Sequence, residues 1–150
     1  MTIRKAENNK YDCNLVFNLS NDPVVRSCSF NTNLIEYENH CKWYEKRLND
    51  INTLFLLVFD EDNFVGQIRF NRESENDYEC IISLSITEAY RGKHIASIFL
   101  KIGIEELKKN WEKIHTIVAE VKNDNIASNK LFIKENFTLY SSINTYIFNL

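Results

Sequence analysis

Between Thr53 and Val121 the side-chain period changes twice, and this restricts the fold more than any other feature of the chain. Thr53 to Phe59 (TLFLLVF) and Phe64 to Asn71 (FVGQIRFN) are apolar or β-branched runs split by the acidic turn Asp60-Glu61-Asp62-Asn63, the pattern of a hairpin. After a polar turn around Ser74 to Asp77, Cys80, Ile82, Leu84 and Ile86 alternate with Ile81, Ser83 and Ser85, which predicts a third antiparallel strand with two distinct faces. From Ile95 to Lys109 the period is helical: Ile95, Phe99, Ile102 and Leu107 form one stripe, and lysines fill the last turn, where the helix dipole favours them. Ile114 to Val121 then reads as a strand again. A strand, a helix and a strand in this order form a right-handed crossover, so the two strands pair in parallel with both faces covered. The expectation is an α/β domain in which antiparallel strands come first and a parallel pair follows.

The flanking segments add smaller elements. Thr2 to Lys5 is a short strand, and Tyr11 to Leu19 a helix ended by Ser20-Asn21-Asp22-Pro23. Tyr37, Cys41, Tyr44 and Leu48 recur at helical spacing within Glu36 to Leu48. A short helix from Ile126 to Glu135 and strands at Thr138 to Tyr140 and Thr145 to Phe148 close the chain. With 150 residues, one proline and three glycines, and no linker-like stretch, residues 1–150 are expected to form a single domain.

Composition narrows the function classes. A net charge of −3 without a basic stripe gives no support for a nucleic-acid partner. Cys13, Cys28, Cys41 and Cys80 match neither zinc nor CxxC spacing, which fits free thiols in a reducing, cytoplasmic setting, and no metal site is indicated. MTIRKAENNK lacks the apolar centre of a secretory leader, and no run approaches the ~18 apolar residues of a membrane span, so no membrane partner is expected.

The stretch most specific to a chemistry is Leu84 to Leu100, LSITEAYRGKHIASIFL, where a strand ends in a basic turn and a helix starts at once. The first amides of a helix have no internal partners and sit at the positive end of its dipole, so backbone alone can hold a pyrophosphate. Gly92 and Ala96 leave room for close approach, and Arg91 and Lys93 add charge. A P-loop is excluded because no second glycine stands at GxxxxGK spacing, and a dinucleotide fingerprint because three antiparallel strands come first. A basic turn that only solubilises a helix start is the alternative.

Arg91-Gly92-Lys93-His94-Ile95-Ala96 resembles the acetyl-CoA motif of the GCN5-related N-acetyltransferases, (Arg or Gln)-x-x-Gly-x-(Gly or Ala), with His94 where the first glycine is usual. Downstream, NIASNKLFIKENF (Asn125 to Phe137) is similar to the family's Asn-x-x-Ser-x-x-Leu-(Tyr or Phe)-x-x-x-Gly-Phe, with Asn136 replacing the glycine. Asn and Gly both tolerate the left-handed conformation a helix end needs. The agreement runs from Leu54 to Phe137 and includes Gly66 in the second hairpin strand. The resemblance implies a mixed, mostly antiparallel sheet of six to seven strands with helices on both faces and a parallel pair splayed around acetyl-CoA. It further implies that the amides of Gly92, Lys93, His94, Ile95, Ala96 and Ser97 bind pyrophosphate, that the backbone of Leu84, Ser85 and Ile86 pairs with pantetheine, and that Asn125 contacts the cofactor. Strands that diverge leave unpaired backbone where an extended, amide-bearing ligand can act as an added strand, with the Ile86 N–H beside the reacting carbonyl.

Glu120, in the otherwise apolar IVAEV, is where several family members place a general base; a solvated carboxylate at the sheet edge or one paired with a lysine is the alternative. Many relatives use a tyrosine to protonate the leaving thiolate, but Phe132 stands there, leaving solvent or Tyr140 as proton sources. His94 reads either as a phosphate or adenine contact or as a solvated helix start, and His40 with Trp43 either as a packing pair or as a wall of a sugar pocket. VVRSCSFNTNLIEYENHCKWYEKRL followed by VGQIRFNR looks like the acetyltransferases of pseudaminic-acid-type sugar pathways, which places Arg26, Ser29, Phe30 and His40 near the acceptor; Arg69 reads as an acceptor contact or a surface residue. The function expected is transfer of an acetyl group from acetyl-CoA to a small-molecule amine by direct attack in a ternary complex, the acceptor a nucleotide-linked amino sugar and the assembly a candidate homodimer. A protein N-terminus, polyamine or other small amine as acceptor, and a noncatalytic acyl-CoA-binding module, are the alternatives.

Overall fold

The computed structural model describes residues 1–141 and 144–150. The hairpin and third strand predicted from period appear as β2 (Thr53–Asp60), β3 (Asn63–Asn71) and β4 (Glu79–Ile86). With β1 (Thr2–Lys5), β5 (Thr116–Glu120), β6 (Thr138–Ser141) and β7 (Thr145–Asn149) they form one seven-stranded sheet ordered β1-β2-β3-β4-β5-β7-β6. The pairing of β4 with β5 is parallel and every other pairing is antiparallel. The helices are α1 (Lys10–Ser20), α2 (Pro23–Cys28), α3 (Tyr37–Leu48), α4 (Ile95–Asn110) and α5 (Ile126–Lys134). The fold is thus a mixed, mostly antiparallel α/β sheet with one parallel pair.

One expectation needs correction. Ser20-Asn21-Asp22-Pro23 ends α1 but also starts α2, which the period of the sequence did not suggest. The Asp22 carboxylate accepts from the amides of Val24 (2.9 Å) and Val25 (3.2 Å), and Pro23 occupies the first helical position, where its missing N–H costs nothing.

Strand alternation sorts the core into two layers. Leu54, Leu56, Val58, Ile68, Phe70, Ile82 and Ile117 pack with Phe99, Leu100 and Leu107 of α4. On the opposite face Phe55, Leu57 and Phe59 meet Cys13 and Val16 of α1 and Tyr44 of α3. Beside this second layer Asp12, wholly buried, accepts two bonds from Arg4 (2.6 and 2.7 Å) and one from the Glu7 amide (2.9 Å). Burial raises the Asp12 pKa, but these donors outweigh it and leave the carboxyl below its ordinary value.

The end of α5 bears out the reading of Asn136, which has φ 65°. The Phe137 amide donates to Phe132 O (2.9 Å) and the Asn136 amide to Ile133 O (3.1 Å), with the rings of Phe132 and Phe137 4.8 Å apart, a complete Schellman motif.

Candidate active site

β4 and β5 pair only from Glu79↔Thr116 to Ile82↔Ala119, and β4 then runs on to Ile86 with no partner on that side. Which groups face the gap follows from the ladder on its other edge. The Thr87 N–H donates to Val65 O of β3 (2.9 Å), and successive residues of a strand direct their N–H and C=O to opposite sides. Ser83 and Ser85 therefore bond β3, while Leu84 and Ile86 aim their amides into the gap. The Ile86 carbonyl is occupied, accepting from Arg91 Nε at 2.9 Å.

Gly66 makes this edge possible. It faces Ile86 across β3 and β4, and a Cβ built on it would lie 2.1 Å from Ser85 O and 3.1 Å from both Ile86 Cα and the Phe99 ring. Any larger residue pushes the end of β4 into the gap.

Beyond a 3-10 turn at Glu88–Tyr90 the chain reverses through two left-handed residues, Gly92 (φ 71°) and His94 (φ 58°), into α4. An added Cβ at Gly92 meets no protein atom within 4 Å, so within the chain it is the positive φ and not crowding that favours glycine there. His94 is the N-cap of α4 but makes no capping hydrogen bond through its side chain, which leaves the first amides of the helix uncapped by it.

Gap and loop together border a cleft of about 690 Å³. Leu84, Ser85, Ile86, Arg91, Gly92, His94, Ile95, Ala96, Glu120, Asn125 and Phe132 line it, as do Phe30 and Arg69. Sequence reasoning missed Val24, Val25 and Cys28 of α2, together with Ser83, Tyr90 and Ser128. The Asp-Pro start signal could have revealed α2. A smaller hollow of about 350 Å³, bordered by Lys5, Asp50 and Trp111, lies at the other end of the sheet.

Several expected site residues have other duties. Arg91 does not offer a free cation: beyond its bond to Ile86 O, its Nη2 lies 2.8 Å from Asp22 Oδ1 and so ties the loop to α2. Burial raises the Asp22 pKa, but Arg91 and the α2 amides more than compensate and hold it low. Lys93 sits over the Tyr90 ring (5.6 Å) and is not a lining residue. Ser97 is outside the lining as well; its hydrogen bond, with help from Lys101, holds the Glu135 carboxyl below its usual range. Arg26 is spent on the loop after α2, donating to Ser20 O, to Asn31 O (3.1 Å) and to Ser29 Oγ (3.1 Å). Asn125 caps α5 by accepting from the Ser128 amide (3.2 Å).

His40 is 1 % exposed and absent from the cleft wall. Its Nε2 lies 3.0 Å from Cys13 O, its ring is 5.6 Å from that of Trp43, and burial lowers its pKa. The packing reading of His40 and Trp43 is the one the structure supports, and the acceptor contact falls away. Tyr140, 75 % exposed on edge strand β6 three strands from β4, is not among the residues that line the cleft. Glu120 is exposed at the end of β5 and forms no ion pair with a lysine among the described residues.

A bare strand edge leading to a reversed loop and a helix N-terminus has the unpaired groups to receive an extended ligand that carries amides at one end and a diphosphate at the other. The model of the GNAT acetyltransferase domain matches residues 1–138. The chain belongs to the GNAT acetyltransferase family. As a GNAT enzyme it is an acetyl-CoA-dependent N-acetyltransferase, and the noncatalytic reading is set aside. Among curated proteins it is similar to acetyltransferase PseH of Campylobacter jejuni subsp. jejuni serotype O:23/36 (strain 81-176), 26 % identical over 135 residues that cover 90 % of this chain and 82 % of the relative. In fold it matches the acetyltransferase yncA of Salmonella typhimurium with its cofactor acetyl-CoA (TM-score 0.79, 22 % identity, 100 % of this chain and 94 % of the other). It also matches spermidine N-acetyltransferase of Vibrio cholerae in complex with CoA and spermine (TM-score 0.81, 17 % identity, 97 % and 90 %). No helix among the described residues is long and apolar enough to cross a membrane.

Proposed function

We propose that this GNAT domain, residues 1–150, acetylates the amino group of a small sugar-like acceptor, with a nucleotide-linked amino sugar as the substrate class. Similarity to PseH over nine-tenths of the chain supports the acceptor class, together with the resemblance of residues 24–48 and 65–72 to acetyltransferases of pseudaminic-acid-type pathways. The observation that carries the catalytic reading is the position of Glu120, the carboxylate at the mouth of the gap, one step beyond the last β4 and β5 pair.

Acetyl-CoA supplies a thioester carbonyl already activated toward amines. The amides of Ile95, Ala96 and Ser97 at the start of α4 hold its diphosphate, and the main chain of Leu84 hydrogen-bonds its pantetheine arm. The Ile86 N–H donates to the carbonyl oxygen as negative charge develops there, an effect worth roughly 3 to 4 kcal/mol at similar sites. Glu120 takes the proton released by the attacking amine, directly or through water. Phe132, buried and lining the cleft, presents an apolar wall where a tyrosine would present a hydroxyl. The leaving thiolate takes its proton from solvent, which is adequate for a thiol of pKa about 8.5.

Release of free CoA, measured over a panel of amines, tests this reading. Glu120→Gln is expected to lower kcat by about 10² to 10⁴, with the dissociation constant of acetyl-CoA unchanged. Wild-type turnover in that variant would remove Glu120 from the mechanism.

A further inference from the structure

The strand register places one cation in the cleft wall beside the end of the β4–β5 pairing. Arg69 of β3 is opposite Ser83 of β4, and one step past Ile82↔Ala119 sets Ser83 beside Glu120. Directly paired residues share a face, so Arg69, Ser83 and Glu120 form a row across three strands, on the side covered by α1, α2 and α3. Two strand spacings of about 4.8 Å each, widened by the opening of the gap between β4 and β5, separate Arg69 from Glu120 at the backbone.

Arg69 is held there by groups that leave it unneutralised. Its Nε donates to Asn71 Oδ1 (2.9 Å), and its guanidinium lies over the rings of Trp43 (5.0 Å) and Phe55 (5.9 Å). Among the described residues its Nη1 and Nη2 have no acceptor, and it has no carboxylate partner. Burial, then the nearby Arg47, pushes its pKa down to about 10, so it remains charged at neutral pH. The second arginine lining the cleft is neutralised by Asp22, and the single carboxylate there is Glu120. Beside Arg69 on the same strand face, Gln67 is 7 % exposed and its Oε1 has no hydrogen-bond partner.

We infer that the acceptor is an amine carrying an anionic phosphate or carboxylate group, which Arg69 binds while Glu120 addresses the amine. The inference rests on the acetyltransferase reading above and adds to it the residue that reads the acceptor's negative charge, whether or not a nucleotide carries that charge. A guanidinium fork matches either anion with two parallel hydrogen bonds, and Ser83 in the middle of the row can add a hydroxyl donor. The same cation, with one carboxylate in the cleft, disfavours a polyamine, whose second and third charges would find no partner.

The test is CoA release by the wild type with one amino-deoxy sugar offered as the free sugar, as its 1-phosphate, as its nucleoside-diphosphate ester and as its uronate, and with spermidine as the polycation. The expected result is a kcat/KM for at least one anionic form some 10- to 100-fold above that of the free sugar, the range of a charge-assisted hydrogen-bond pair. The phosphate and uronate arms tell which anion is read, and the preference should shrink as salt rises. Arg69→Met should collapse the preference toward one through KM, and Arg69→Lys should restore part of it. Equal or better turnover of the free sugar or of spermidine by the wild type overturns the inference while leaving the acetyltransferase reading intact, and this arm needs no variant to fold. If no amine on the panel releases CoA although acetyl-CoA binds, both the proposed acceptor class and the anion assignment fall.

Discussion

The two walls of the cleft are built from different parts of the chain. On the wall we propose for the cofactor, the main chain faces the gap: the amides of Leu84 and Ile86 along a bare strand edge, and the first amides of α4 after a loop with two left-handed residues. On the wall we propose for the acceptor, side chains do: Arg69 from β3, Glu120 from β5, and Val24, Val25 and Cys28 from α2, all of which line the cleft. A main-chain receptor is fixed by strand ends and helix starts, so it tolerates changes of residue type that keep the backbone path. His94 in place of glycine is such a change. A side-chain receptor draws on segments far apart in sequence, and each member can change independently. One wall can therefore suit a common cosubstrate while the other is free to select an acceptor.

The contrast breaks most sharply at Gly66. Gly66→Ala forces a Cβ against Ser85 O and displaces the end of β4. Acetyl-CoA affinity by calorimetry should fall on the order of 100-fold, about 2.7 kcal/mol, with a lower melting temperature from the forced overlap. If Gly66→Ala instead binds acetyl-CoA normally, the strand edge is not the receptor.

Smaller effects sharpen the comparison at the joint between the walls. Arg91 spans it, bonded to Ile86 O on one side and to Asp22 at the cap of α2 on the other. Asp22→Ala removes both the ion pair and the α2 cap, a loss of roughly 1 to 2 kcal/mol, typical of a cap deletion. Its KM for the acceptor should rise more than its KM for acetyl-CoA, and equal rises would mean the walls are not separable.

His40 provides a pH signature confined to the layer behind the acceptor wall. Its folded pKa is lowered by burial, so the unfolded chain binds its proton first. Stability from His40 is complete above the unfolded value of about 6.5 and is lost as pH falls toward the folded pKa. Chemical denaturation from pH 7.5 to 5.5 should show a declining free energy of unfolding whose slope is flatter in His40→Gln.

The smallest change is expected at the loop. His94 holds φ 58°, a region that costs a residue with a side chain about 1 to 2 kcal/mol. Part of that returns in His94→Gly, offset by the freedom glycine gains when unfolded, so the melting temperature should rise by roughly 2 to 4 °C at most, read by calorimetry. Acetyl-CoA affinity should hold if backbone alone grips the diphosphate.

Much of the cofactor wall was legible because its signals are local. Alternation in Cys80 to Ile86, the basic turn, and the helical stripe from Ile95 onward each report the conformation of their own segment, and Asn136 announced a left-handed helix end before any contact was known. α2 was missed although its signal, Asp22-Pro23, is equally local, because only Asn21 and Asp22 separate it from α1 and the same four residues that end one helix start the next. Side-chain roles were legible least. Arg91 and His40 carry the chemistry of binding residues, and each is turned to a structural bond by a partner far from it in sequence, Asp22 and Cys13 O, whereas Arg26 is turned to one by its own neighbours Ser29 and Asn31.

What the sequence by itself determined is the succession of backbone conformations, since period, turn residues and helix starts act through neighbours a few positions apart. Tertiary structure alone decided that Arg69 pairs with Ser83, that Glu120 comes one step past the last β4–β5 pair, and that among the described residues Arg69 has no carboxylate partner. Register between strands is set by which faces bury apolar area over the whole sheet, and burial of a cation depends on what packs above it, so neither is encoded in any short stretch of the chain.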